Sequence, residues 1–94
     1  MSLKIGVVGA TGNVGREMLS ILSERGFKSN DVFAIASNRS EGMKVPFGED
    51  ELKVTSLDKF NPKEIEIALF SAGGDISKEW APKFAEVGCI VIDN

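Results

Sequence analysis

The run "VVGATGNVG", residues 7–15, constrains the fold of this chain more than any other stretch. A short apolar strand, Lys4 to Val8, runs into three glycines at regular spacing, Gly9, Gly12 and Gly15. From Asn13 to Arg25 the apolar period becomes helical, with Val14, Met18, Ile21 and Leu22 at i, i+4, i+7 and i+8. Arg16, Glu17, Ser20 and Glu24 take the other side, and Gly26 follows as a left-handed stop. Strand, tight glycine turn and amphipathic helix form the opening of a βαβ unit, so a parallel strand is expected next. The spacing has two residues in its first gap, but its physics is that of the commoner G-x-G-x-x-G turn. Gly9 turns the chain off the strand, Gly12 lets a phosphate approach the backbone, and Gly15 lets the helix pack close. Unpaired N–H groups at the helix start then favour an anion. Thr11 and Asn13 add side-chain donors. A ligand-free glycine turn explains three glycines equally well; the strand before and the helix after favour a pyrophosphate site.

The remaining chain repeats this plan. "DVFAIA", Asp31 to Ala36, reads as the second strand. Gly42, Pro46 and Gly48 then punctuate an insert in which "KVPF" and "LKVT" flank "GED" as a small hairpin, with Pro46 forcing an edge position. Leu57 to Lys63 reads as a connector or one helical turn that Pro62 ends. "IEIALFS", Ile65 to Ser71, is a further buried strand. Ser77 to Val87 has a helical pattern with Trp80, Phe84 and Val87 on one side, and Pro82 either starts or kinks that helix. Gly88 ends it, and "CIVID" is a last strand. The expected fold is an α/β, Rossmann-type parallel sheet with helices on both faces and a small hairpin insert. It is expected to be incomplete, with roughly four parallel strands against about six in the full fold. All 94 residues are expected to form one dinucleotide-binding domain.

Two more loop tips refine the ligand. An NAD site places a carboxylate at the end of the second strand, to bond the ribose 2′-hydroxyl. Here the strand runs into "SNRS", residues 37–40, and Glu41 comes only after the turn. Arg39 offers a planar fork for a phosphate, and Ser37, Asn38 and Ser40 add neutral donors. A 2′-phosphate is repelled by a carboxylate, so the tip favours NADP; alone, it is also an ordinary polar loop with an exposed arginine. The third tip, "SAGGD" at 71–75, follows a neighbouring strand at the edge where open sheets bind ligands. Its small residues leave room for a dinucleotide, although a plain glycine turn into a helix has the same composition.

Composition removes other classes. Fourteen acidic against eleven basic residues give a net charge of -3, and no basic run marks a nucleic-acid or anionic-membrane surface. The N-terminus lacks the length of a membrane helix and the plan of a signal peptide. A single cysteine cannot form an internal disulfide, so a cytoplasmic setting is expected.

With the three tips in order, the sequence resembles the N-terminal part of the aspartate-semialdehyde dehydrogenase family. The matching runs are "GVVGATGNVG", "ASNRSEGMKVPF", "ALFSAGGDISKEWAPKFAEVG" and "VIDN". The glycine turn is shared with many reductases; "ASNRS" with "FSAGG" and "VIDN" is far more specific. The resemblance implies a Rossmann-type NADP domain of an enzyme that reduces aspartyl phosphate to the semialdehyde, on the route to lysine, methionine and threonine. By motif position, Gly9, Thr11, Gly12, Asn13 and Val14 would line the pyrophosphate. Ser37, Arg39 and Ser40 would hold the 2′-phosphate. Ser71, Ala72 and Gly73 would lie along the dinucleotide, and Asn94 would approach the nicotinamide. Asp75 departs from the neutral residue often found there, and a carboxylate beside phosphates is unfavourable.

The family draws its cysteine nucleophile, histidine base and substrate arginines from a later region. These 94 residues contain no histidine. Cys89, in an apolar strand, is expected to be structural, with its thiol pKa raised. Trp80, Phe84 and Phe70 are likewise expected in the core. The chain is therefore expected to bind NADP and to be inactive alone. The alternative is a stand-alone NADP-binding or sensor module. Exposed apolar strand edges in a shortened sheet point to a homodimer or a strand-exchanged oligomer.

Overall fold

The computed structural model describes residues 3–93. Its elements run β1 (Ile5–Val8), α1 (Asn13–Glu24), β2 (Val32–Ala36), β3 (Lys44–Phe47), β4 (Asp50–Lys53), β5 (Thr55–Ser56), β6 (Ile67–Phe70), α2 (Gly74–Glu86) and β7 (Ile90–Asp93). Five strands form one sheet in the order β5-β2-β1-β6-β7, and every pairing in it is parallel. β3 and β4 form a separate antiparallel hairpin. The architecture is α/β and Rossmann-like but incomplete.

β1 is central and buried along its whole length, which explains its unbroken apolar character. Alternate side chains of the sheet serve two cores. Val7, Val32, Ala34 and Ala36 pack on one face with Leu19 of α1 and with Val45, Phe47 and Leu52 of the hairpin. Val8, Ile35, Ala68 and Phe70 pack on the other with Phe84 of α2. Phe70 meets Phe84 edge-on at 5.3 Å between ring centroids, and Phe60 links Phe84 to Phe33. Such pairs add directional packing to the area they bury.

Several sequence expectations change. A fifth parallel strand, β5, pairs with β2 through Ile35–Thr55 and Ala36–Ser56; two residues are too short to show a period. The second hairpin arm is Asp50–Lys53, two residues earlier than "LKVT". Pro62 begins a 3₁₀ turn, Pro62–Glu64, rather than ending a helix. There the missing proline N–H costs nothing, and Asn61 caps the turn by accepting from the Lys63 N–H at 3.1 Å. α2 starts at Gly74, three residues before Ser77, and Pro82 lies inside it. Pro82 and Lys78, the residue it would have bonded, are both exposed, so the freed carbonyl does not have to be buried.

The buried stripe of α1 is also rotated from the expected one. Val14 and Ile21 are each 46% exposed, whereas Gly15 and Leu19 are buried and Met18 and Leu22 partly so. On α2, Trp80 and Phe84 face the core, but Val87, which caps the helix rather than belonging to it, is 40% exposed.

Candidate nucleotide-binding site

The chain leaves β1 toward β2 on one side, while β6 lies on the other, so the strand order reverses between β1 and β6. Open α/β sheets bind ligands beyond the carboxyl ends of their strands at such a reversal. Here that point is closed by a short tie. Ser71 donates to the Val8 carbonyl from its backbone N–H at 2.9 Å and from its hydroxyl at 3.1 Å. On the other side of β1, the N–H groups of Gly9 and Ala10 both donate to the Ile35 carbonyl, at 2.8 and 3.1 Å.

Two glycines are required by this geometry. Gly9 has φ +91°, and a Cβ there would meet the Ser71 carbonyl carbon at 2.9 Å and Ala72 at 3.0 Å. A Cβ on Gly15 would overlap the Gly9 carbonyl oxygen, so the first turn of α1 packs directly on the loop. Gly12 differs: its φ is -81°, and a Cβ there would meet only Gly9 O, at an ordinary 3.5 Å. The fold does not need glycine at position 12, and the space above it is free for a ligand.

Gly12 caps α1 without a side-chain hydrogen bond, and no acidic residue occupies the first turn. The N–H groups of the first helical residues, Asn13 onward, have no carbonyl partner within the helix, and the positive dipole end is uncompensated. Arg16 folds back on the loop, its Nε donating to the Thr11 carbonyl at 3.2 Å.

A cavity of about 240 Å³ opens at the reversal, lined by Val8, Gly9, Thr11, Gly12, Ala36, Ser37, Leu57, Ser71, Ala72 and Ile76. All three loop tips contribute to it. A second cavity, about 470 Å³, shares Ser37, Leu57 and Ile76 and adds Asn38, Arg39, Asp58 and Trp80. Ser40 stands near the first cavity, its hydroxyl 3.5 Å from that of Thr11. Gly73, with φ +90°, caps α2 and lines neither cavity. Asn13 and Val14 are exposed at the start of α1 and line neither. Asn94 lies outside the described residues. Its neighbour Asp93 accepts a hydrogen bond at 3.1 Å from Ser77, a buried hydroxyl in α2. Asp75 lines neither cavity and sits in the first turn of α2, where the helix dipole favours a carboxylate.

The sequence did not reveal Leu57, Asp58 or Ile76 as lining residues, and Trp80 was expected only in the core. Leu57 and Asp58 enter because β5 lies beside β2, and the signal for β5 was two residues long. The Asn38 side-chain amide faces Asp58; with its nitrogen rather than its oxygen assigned toward the carboxylate, the orientation that satisfies both groups, it donates to Oδ1 at 2.8 Å and Oδ2 at 3.3 Å. Glu41 is turned away from ligand duty: it accepts the Ser56 N–H at 2.6 Å, and that bond holds its carboxyl below the usual range. Cys89 is buried, with its thiol donating to Pro62 O at 3.1 Å and Ile65 O at 3.4 Å. Burial, and then the Glu66 charge, push its pKa up, which suits a structural thiol rather than a nucleophile.

Among the described residues, no helix is long and apolar enough to cross a membrane. The residues fit a dinucleotide: a glycine cradle, unpaired helix N–H groups and a cavity joining the three tips.

Comparison with known proteins agrees. The family profile described as "Semialdehyde dehydrogenase, NAD binding domain" matches residues 4–94. An aspartate-semialdehyde dehydrogenase of Rickettsia bellii is 54% identical over 89 residues, covering 95% of this chain and 26% of the relative. One from Aquifex aeolicus is 53% identical, covering 100% of this chain and 28% of the relative. The chain thus spans about a quarter of the length of these curated relatives. Among solved structures, aspartate semialdehyde dehydrogenase II of Vibrio cholerae superimposes over 100% of this chain and 31% of its own, with TM-score 0.91 and 44% identity.

Proposed function

The chain belongs to the semialdehyde dehydrogenase family, matching its NAD-binding domain, and on that premise we propose that it is the NADP-binding portion of an aspartate-semialdehyde dehydrogenase. One observation carries the reading: the cavity at the strand-order reversal has Gly9, Thr11, Gly12, Ser37, Ser71 and Ala72 among its walls. On this reading the amides at the start of α1 hold the pyrophosphate, with Gly9, Thr11, Gly12, Asn13 and Val14 around it. Ser37, Arg39 and Ser40 take the 2′-phosphate. Ser71, Ala72 and Gly73 border the dinucleotide toward Asn94. When bound, NADPH supplies the hydride that reduces aspartyl phosphate to the semialdehyde in lysine, methionine and threonine biosynthesis. The chain's own residues bind and orient it, while nucleophile and base come from a region outside these 94 residues.

The preference for NADP is supported by Arg39. Among the described residues the ion pair is Lys83 with Glu79, so Arg39 has no carboxylate partner. We also infer a cytoplasmic location and a homodimeric or strand-exchanged assembly, the latter from exposed Ile90 and Ile92 on edge strand β7. Calorimetry with NADP and NAD, beside an assay with semialdehyde, phosphate and NADP, tests the reading. Expected are saturable binding, tighter for NADP, and no turnover. Absence of binding overturns the cofactor role, and turnover by the pure chain overturns its inactivity.

A further inference from the structure

The loop that follows β5 brings a carboxylate to the same cavity as Arg39. Asp58 lines that cavity together with Ser37, Asn38, Arg39 and Trp80. An acid in this place works against a 2′-phosphate, because two negative charges a few ångströms apart repel even near a protein surface. The free acid also has a cation at hand in Arg39. Neither use is made of it. Asp58 instead faces one neutral group, the Asn38 amide, which with its nitrogen assigned toward the carboxylate donates to both oxygens, at 2.8 and 3.3 Å. The other carboxylate of this region, Glu41, is likewise committed to a neutral donor, the Ser56 N–H. The nearby Lys59 is exposed, and among the described residues Arg39 keeps its planar fork of donors without a carboxylate partner.

We propose that Asn38 is a positioning residue for cofactor specificity: by holding the Asp58 carboxylate, it keeps the Arg39 guanidinium open to the 2′-phosphate of NADP. The inference rests on the NADP reading above and adds a residue that does not itself touch the phosphate. Without the amide, the carboxylate is free to pair with Arg39 or to oppose the phosphate. Either outcome weakens NADP while leaving NAD, which lacks that phosphate, untouched or favoured.

Trp80 is the single tryptophan and lines the same cavity, so its fluorescence reports occupancy. The wild-type chain, Asn38→Ala, Asp58→Asn and the double variant are titrated with NADP and with NAD. Asn38→Ala is expected to weaken NADP roughly fivefold, the upper size of an exposed charge interaction, with no loss for NAD. Asp58→Asn alone keeps or raises NADP affinity, because it removes an acid from the cavity that Arg39 lines. In the double variant NADP affinity returns to the wild-type level, because the offending charge is gone; a merely structural role of Asn38 would not be rescued this way. An unchanged NADP-to-NAD ratio in Asn38→Ala, or a loss that Asp58→Asn does not restore, overturns the proposal. A wild-type chain that binds both cofactors equally overturns the NADP reading itself and the inference with it. Asn38 is an exposed turn residue, so melting curves of the variants should overlay.

Discussion

Gly12 and Gly15 belong to one motif, yet the structure gives them different physical duties. A Cβ on Gly15 overlaps the Gly9 carbonyl oxygen, and relief requires α1 to move off the loop. Gly15→Ala should therefore destabilise the chain by about 1–3 kcal/mol, the usual cost of overpacking, read as a lower urea midpoint. Gly12→Ala meets only an ordinary 3.5 Å contact at an allowed φ. Its urea midpoint should hold while dinucleotide affinity falls about tenfold or more, equivalent to roughly 1.4 kcal/mol. Equal loss of stability in both variants would mean that Gly12 serves the fold and not the ligand.

At the scale of the element, α1 shows how packing selects among apolar residues. A stripe of Val14, Met18, Ile21 and Leu22 satisfies helical spacing, but the helix lies on Gly15 and Leu19 instead. The reason is the glycine loop. Close approach at Gly15 fixes the rotation of α1 about its axis, and Leu19, one turn later on the same face, follows it into the core. Val14 and Ile21 are then carried outward. Leu19→Ala should cost about 2–5 kcal/mol, and Ile21→Ala about 0.5 kcal/mol or less, both by equilibrium unfolding. A larger cost at Ile21 would restore the stripe read from spacing. In α2, Pro82 is tolerated inside the helix on its solvent side, while Ile76, Trp80, Ala81 and Phe84 reach the second core.

For the whole molecule, the sheet has one edge at β5 and the other at β7. β7 presents Ile90 at 62% exposure and Ile92 at 51%, with Ile92 in register with Leu69. Unpaired backbone beside exposed isoleucines is the usual template for pairing with another chain. Light scattering of the chain at micromolar concentration should give a mass above that of the 10.1 kDa monomer, and Ile92→Lys should return it to monomer. A monomeric wild type would count against self-association through this edge.

How much was legible beforehand depends on the range of the interaction. The glycine turn, β1, β2, β6 and both helices are written in local patterns, because strand and helix periods and the glycine stops act within a few residues. Their βαβ order leaves few topologies, and the cradle at Gly9 to Gly15 follows from them. The Ser37, Arg39 and Ser40 tip was visible for the same reason, as a polar loop at a fixed place after β2. What joins chain segments far apart was not written locally. β5 exists because its two residues meet β2, and with it come Leu57 and Asp58 at the cavity. The rotation of α1 is set by contact with the Gly9 carbonyl. The sequence alone determined a dinucleotide cradle on a parallel sheet; tertiary contact decided which side chains wall it, and that Asp58 shares a cavity with Asn38 and Arg39.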